Sequence, residues 1–180
     1  MPFTPYHFGP AALVGLLFRR WLDAPVFILA NVVIDLEVLA ILLFDLGRPS
    51  HRYCHTLLIG GAVGALWGLT AYPLRGILQK LMQLLRLPYH ASLPRMMVSG
   101  ILGAWLHVFI DAFYHLDIKM LWPFRATFIW DIQRHIGWDR LQHAIKTGCV
   151  TLLVLACIFY ALVVRRRVKG HNSAEGETTR

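Results

Sequence analysis

The chain has 180 residues, of which 57% are hydrophobic and only 16% charged. A soluble domain carries about 25% charged residues, so the composition excludes an ordinary soluble protein, and its apolar content excludes a disordered one. The net charge of +8 sits beside apolar stretches, with Arg75, Lys80, Arg86 and Arg95 between two of them and Arg165, Arg166, Arg167 and Lys169 after the last. That is the flanking pattern of cytoplasmic loops rather than of a nucleic-acid-binding face, so nucleic acid is not expected as a partner.

The N-terminus lacks the basic start of a signal peptide. Residues 10–18 are apolar but too short to span, and predict a re-entrant or interfacial segment. Four stretches reach the length of about 20 apolar residues that a crossing needs: 25–44, 54–73, 96–116 and 147–164. The stretch 120–145 is amphipathic and carries Trp122, Trp130 and Trp138, which suits a helix or two along the membrane surface. Residues 169–180 read as a disordered polar tail, and 1–168 as one membrane-embedded domain. The predicted fold is an all-α membrane bundle of about four transmembrane helices with short interfacial or re-entrant helices. Four crossings and a basic C-terminus place both termini in the cytoplasm of a cell with this protein in its inner membrane. Cys54, Cys149 and Cys157 form no paired framework and no C-x-x-C site, and read as small core residues.

Polar residues stand where they are expensive. Asp35 and Glu37 fall inside the first span, at about 2.5–3.5 kcal/mol each on insertion scales. Such acids face a bundle interior and mark function by default. Residues two apart point about 200° apart on a helix, so Asp35 is the expected ligand and Glu37 a general base or further ligand. His51 and His55, four apart, would share one helix face and grip one metal. His107, Asp111 and His115 form a polar stripe on the third span. Histidine and carboxylate ligands without cysteine suit zinc, manganese or iron, as one or two ions. A polar seam that only holds helices together is the bland alternative.

The ordered set of motifs resembles the YdjM-like membrane-bound metal-dependent hydrolases. Members tend to carry an N-terminal histidine, an Asp-x-Asp-type pair, an HR-x-x-H-[ST] box, and H-x-x-x-D followed by a tryptophan-proline signature. Matching positions are His7, Asp35-Leu-Glu37, His51-Arg-Tyr-Cys-His55-Thr56, His107 with Asp111, and Leu121-Trp122-Pro123-Phe124. The resemblance covers about residues 1–125. It departs at Glu37, where Asp is usual, at Tyr53 and Cys54, where Gly and Thr or Ser are common, and at His115, where a small or hydroxyl residue is more usual. The H-x-x-x-D element is similar to that of zinc-dependent phospholipase C and related zinc nucleases, which implies phosphoester hydrolysis. The resemblance also implies His7 as a ligand.

The expected site therefore has His7, Asp35, His51, His55, His107 and Asp111 as metal ligands. Glu37 would be the base, His115 would protonate the leaving group or hold a second ion, and Arg52 would take a phosphate oxygen. Membrane lipid or a lipid-linked molecule is the expected substrate. A metal or proton transporter using the same cluster is the competing class. His90, His135, His143 and His171 read as surface residues. Only Ser99 and Thr70 are polar in the inward halves of the second and third spans, which predicts a cavity open on one side and sealed on the other.

Overall fold

The computed structural model describes residues 5–178 other than 48, 50 and 125–127. The described chain is all α-helical. A short 3-10 turn, Pro5–His7, leads into α1 (Phe8–Leu17), followed by α2 (Ala24–Leu43) and α3 (Leu57–Ala71). A second 3-10 turn, Tyr72–Leu74, joins α3 to α4 (Arg75–Leu84). Then come α5 (Leu93–Tyr114), α6 (Phe128–Ile136) and α7 (Trp138–Thr178). Four segments are long and apolar enough to cross a membrane: Ala24–Leu43, Leu57–Leu84, Leu93–Tyr114 and Trp138–Arg167. Only 11% of the α7 window is buried within the protein, so its Val154, Leu155 and Ile158 surface needs lipid as its solvent.

Helix boundaries follow local chemistry. Asp23 caps α2 by accepting from Val26 N, and Pro25 fills the first turn. Thr56 caps α3 by accepting from Ile59 N. That cap starts the second span at Leu57 rather than at residue 54 and leaves 51–56 as a loop. The backbone of α7 remains helical through the polar residues after Lys169 as far as Thr178.

Small residues set the core. A side chain on Gly64 would run into the backbone of Gly100, and one on Gly100 into Gly64, so α3 and α5 touch along their main chains. Gly103 lets α5 close on Phe27 and Ala30 of α2 in the same way. Gly9 brings α1 against the backbone of α7 at Cys149. At one end of the bundle the Arg95 guanidinium donates to the carbonyls of Arg19 and Leu22, tying the α1–α2 turn to the start of α5. Beside it the Asp23 amide donates to Ser99 Oγ over 2.7 Å. Burial pushes the Asp23 carboxyl above its usual range, against the hydrogen bond from Val26 N and the charge of Arg95.

The opposite end of the bundle is closed by α6. Ile129 joins Val108, Ala112, Ile118 and Met120 in one buried cluster, and Gln133 Nε2 donates to the Ala112 carbonyl. Gly137, at φ 88°, turns the chain from α6 into α7. The expected surface stretch 120–145 thus resolves into α6 and the first turns of α7, whose Gln142 donates to the Tyr114 carbonyl. At the far end the Tyr160 hydroxyl donates to the Leu85 carbonyl.

The re-entrant α1 moves the described N-terminal residues away from the end at which four crossings alone would leave them. α1 runs down from the α6 end to the Arg19–Leu22 turn, and α2 returns beside it. Residues 5–7 therefore lie at the α6 end, while the basic segment Arg165–Arg167 lies at the Arg95 end.

Candidate metal centre

Each element delivers its polar group to one depth. α2 brings Asp35 from just past its middle, α5 brings His107 and Asp111 one turn apart, and the loop before α3 brings His55. All four are buried, His55 and His107 completely. One donor atom from each lies within 4.8 Å of the other three, so the group could hold a metal ion.

His107 Nε2 stands 3.3 Å from Asp35 Oδ1 and 3.2 Å from Asp111 Oδ2. His55 Nε2 stands 3.7 Å from the same two oxygens. Despite this crowding, His55 Nε2, His107 Nε2 and Asp111 Oδ1 have no aligned hydrogen bond among the described residues. Proximity without alignment is what donors aimed at a shared central point produce, whereas a hydrogen-bonded seam would pair them linearly. A buried imidazole or carboxylate left unpaired costs about 1–3 kcal/mol or more, and a divalent cation would satisfy all four at once.

His7 lies beside this group: its Nε2 approaches Asp111 Oδ1 at 2.7 Å, and its ring lies 4.5 Å from that of His107. The re-entrant course of α1 is what allows this. The Asp111 carboxylate therefore faces histidines from the segment before α1, the loop before α3 and its own helix.

Glu37 does not face the centre. Its carboxylate accepts from the amides of Arg52, Tyr53 and Cys54 and from His55 Nδ1 at 3.1 Å. An intact α2 sends Asp35 inward and Glu37 toward the 51–56 loop, as the 200° offset requires. The consequence is a carboxylate–histidine pair that fixes the His55 tautomer and leaves Nε2 for a cation. Burial, and after it the same carboxylate, pushes the Cys54 thiol up to about 11.

The placements of His51, His115 and Arg52 differ from the helical expectation. His51 and His55 are neighbours, with rings 4.7 Å apart, but as parts of a loop that Glu37 and the Thr56 cap shape, not as one helix face. His115 leaves the α5 stripe because the helix ends at Tyr114 and His115 is extended, at φ −116° and ψ 139°. Its ring instead lies 4.2 Å from that of His51. Burial holds the His115 imidazole down at about 4. Arg52 spends its guanidinium on the carbonyls of Leu46, Gly47 and Pro49.

Sequence reading missed Asp117, both of whose oxygens lie 3.0 Å from His51 Nδ1. Its only signal was a carboxylate two residues after His115. Asp117 is held down at about 2, because the hydrogen bond and charge of His51 outweigh its burial.

Two cavities lie beside the centre, lined by sequence neighbours of its four residues rather than by the residues themselves. A polar one of about 310 Å³ is lined by His51, Arg52, Tyr53, Thr56, Asp117, Lys119 and Trp122. An apolar groove of about 950 Å³ runs along Phe27, Leu57, Leu102, Leu106, Phe109 and Met120. Toward the Arg95 end, Phe27, Ala30 and Gly103 pack between the centre and the Asp23–Ser99 pair. Asn31 spends its amide nitrogen on carbonyls of its own helix. No protein-family model, no curated protein and no solved structure matches this chain.

Proposed function

We propose that this protein is an integral membrane metal-dependent hydrolase that cleaves a phosphoester in a lipid or lipid-linked substrate, and that it belongs with the YdjM-like hydrolases its motifs resemble. The observation that carries the reading is the buried convergence of Asp35, His55, His107 and Asp111 from three separate parts of the chain, with His55 Nε2, His107 Nε2 and Asp111 Oδ1 left without an aligned hydrogen bond among the described residues. Two imidazoles and two carboxylates form a donor set that fits zinc, with manganese and iron as competitors. A divalent ion supplies Lewis acidity and a nucleophile at neutral pH. The protein's own part is to hold the donors: Glu37 orients His55, and His7 engages Asp111.

The flanking cavities support a lipid substrate. Thr56 and Lys119 line the polar pocket, while their neighbours Leu57 and Met120 line the apolar groove. The Leu57 amide donates to the Met120 carbonyl over 2.8 Å, so one hydrogen-bonded wall separates the two spaces. A charged headgroup on the Lys119 side and a chain on the Leu57 side match that division. Transport would need a polar path to the Arg95 end, and the packing of Phe27 and Ala30 on Gly103 stands across it.

The test is metal content of the purified protein together with zinc-dependent release of a phosphorylated headgroup from phospholipid vesicles. His107→Ala and Asp111→Ala should lose both. A folded wild type that takes up no divalent metal sinks the reading, and zinc flux across proteoliposomes without cleavage would favour the transporter.

A further inference from the structure

A second group of metal-type donors lies outside the four-residue centre. His51 comes from the loop before α3, and His115 and Asp117 from the segment just past α5. The end of α5 at Tyr114 turns His115 out of the His107–Asp111 stripe and toward His51. One donor atom from each of the three lies within 4.8 Å of the others. His51 is buried and His115 and Asp117 are half-buried, so the group is partly open to one side.

We infer that His51, His115 and Asp117 form a second divalent-cation position beside the first. Two imidazoles and one carboxylate are the donor set of open metal sites, which keep free positions for water or substrate. The open side here has a definite neighbour, because His51 and Asp117 both line the polar cavity that Arg52, Thr56 and Lys119 complete. The four-residue centre, by contrast, is buried at all four positions. The two positions adjoin through His51 and His55, whose rings are 4.7 Å apart. Paired divalent ions clamp the attacking and leaving oxygens of a phosphoryl displacement. Under the hydrolase reading, the outer position would therefore meet substrate in the pocket. The binding of a second ion itself does not depend on that reading.

The experiment uses the full-length protein in detergent, stripped of metal and titrated with zinc, with stoichiometry read by calorimetry and elemental analysis. Size-exclusion profile and thermal melting establish that each variant is folded. Wild type should bind two equivalents. Asp117→Asn and His115→Ala should each bind one, with the affinity for the second equivalent falling at least tenfold, and Asp117→Glu should restore part of it. His107→Ala should keep the equivalent that Asp117→Asn loses. A wild type that binds a single equivalent, unaffected by Asp117→Asn and His115→Ala, overturns the second position and leaves the first. Retention of two equivalents by both outer variants overturns it equally. A single equivalent abolished by Asp117→Asn but kept by His107→Ala would support the outer position and remove the inner centre on which the proposed function stands.

Discussion

Replacing Glu37 with glutamine separates an orienting carboxylate from a catalytic one. The carboxylate receives the amides of Arg52, Tyr53 and Cys54 and His55 Nδ1, four donors on two oxygens. Glutamine keeps one oxygen and turns the other into a donor, so about two of the four N–H groups lose their acceptor. Tyr53 is exposed and water can serve it, which leaves one or two unmet donors at about 1–3 kcal/mol each. Global stability should fall by about 2–4 kcal/mol. With His55 no longer fixed, zinc affinity should fall about 10–100-fold, the usual cost of losing a partner that orients a metal-ligating histidine. Calorimetric zinc titration of Glu37→Gln in detergent, with thermal unfolding of the metal-free protein, reads both quantities. An unchanged zinc affinity beside the stability loss would refute the orienting role and leave Glu37 a loop anchor only.

The Cys54 thiol, pushed up to about 11 by burial and then Glu37, should resist alkylation at pH 8, and Glu37→Gln should speed its labelling; equal rates in the two proteins would contradict that contact. Gly64→Leu drives a side chain into the Gly100 backbone and should cost more than the usual 1–3 kcal/mol of overpacking, read as a drop in melting temperature. Gly148→Ala meets nothing within 4 Å and should be neutral or stabilising by about 0.5–1 kcal/mol, since alanine suits a helix interior better. The Asp117 carboxyl lies below its ordinary value of 3.8, at about 2, so its pairing with His51 stabilises the fold above pH 4. That stability fades as pH falls toward 2. Melting curves of metal-free wild type and Asp117→Asn should therefore converge over that window, and a constant gap down to pH 2 would contradict the pairing.

The spans and the inner centre were legible for different reasons. A run of apolar residues reports a membrane crossing directly, because bilayer thickness fixes its length. The spacing of His107 and Asp111 reports one face because α5 is an uninterrupted helix at that point. The same rule gave a correct adjacency for a wrong reason at His51 and His55, where a loop replaces the helix. The rule failed at His115, one residue beyond the end of α5. Periodicity carries information only while the hydrogen-bond ladder continues. Asp117, the buried cap Asp23 and the approach of His7 to Asp111 lay outside any periodic frame. Their positions come from long-range packing, through the α1–α2 turn held by Arg95 and the loop drawn in by Glu37.

The charges of the inner centre favour an exchangeable cation over a structural ion pair. Asp35, Glu37 and Asp111 bring three carboxylates into the protein, and among the described residues every ion pair they make is to a histidine. Burying carboxylates is costly unless a positive charge accompanies them. A site built only for stability would be expected to use arginine, which stays charged at every relevant pH and forks onto carboxylate oxygens. Arg52 stands close enough to the Glu37 carboxylate to donate its own amide to it, yet its guanidinium is turned to the carbonyls of Leu46, Gly47 and Pro49. Histidine differs in that it can surrender its proton and offer a lone pair. With histidines as their counter-groups, the acids can be balanced by protons in the metal-free protein or by a divalent ion, and can pass from one state to the other without repacking of the helices. The close glycine contacts between α3 and α5, which leave little room for rearrangement, are compatible with that exchange and would obstruct a centre that had to open and close across the bilayer.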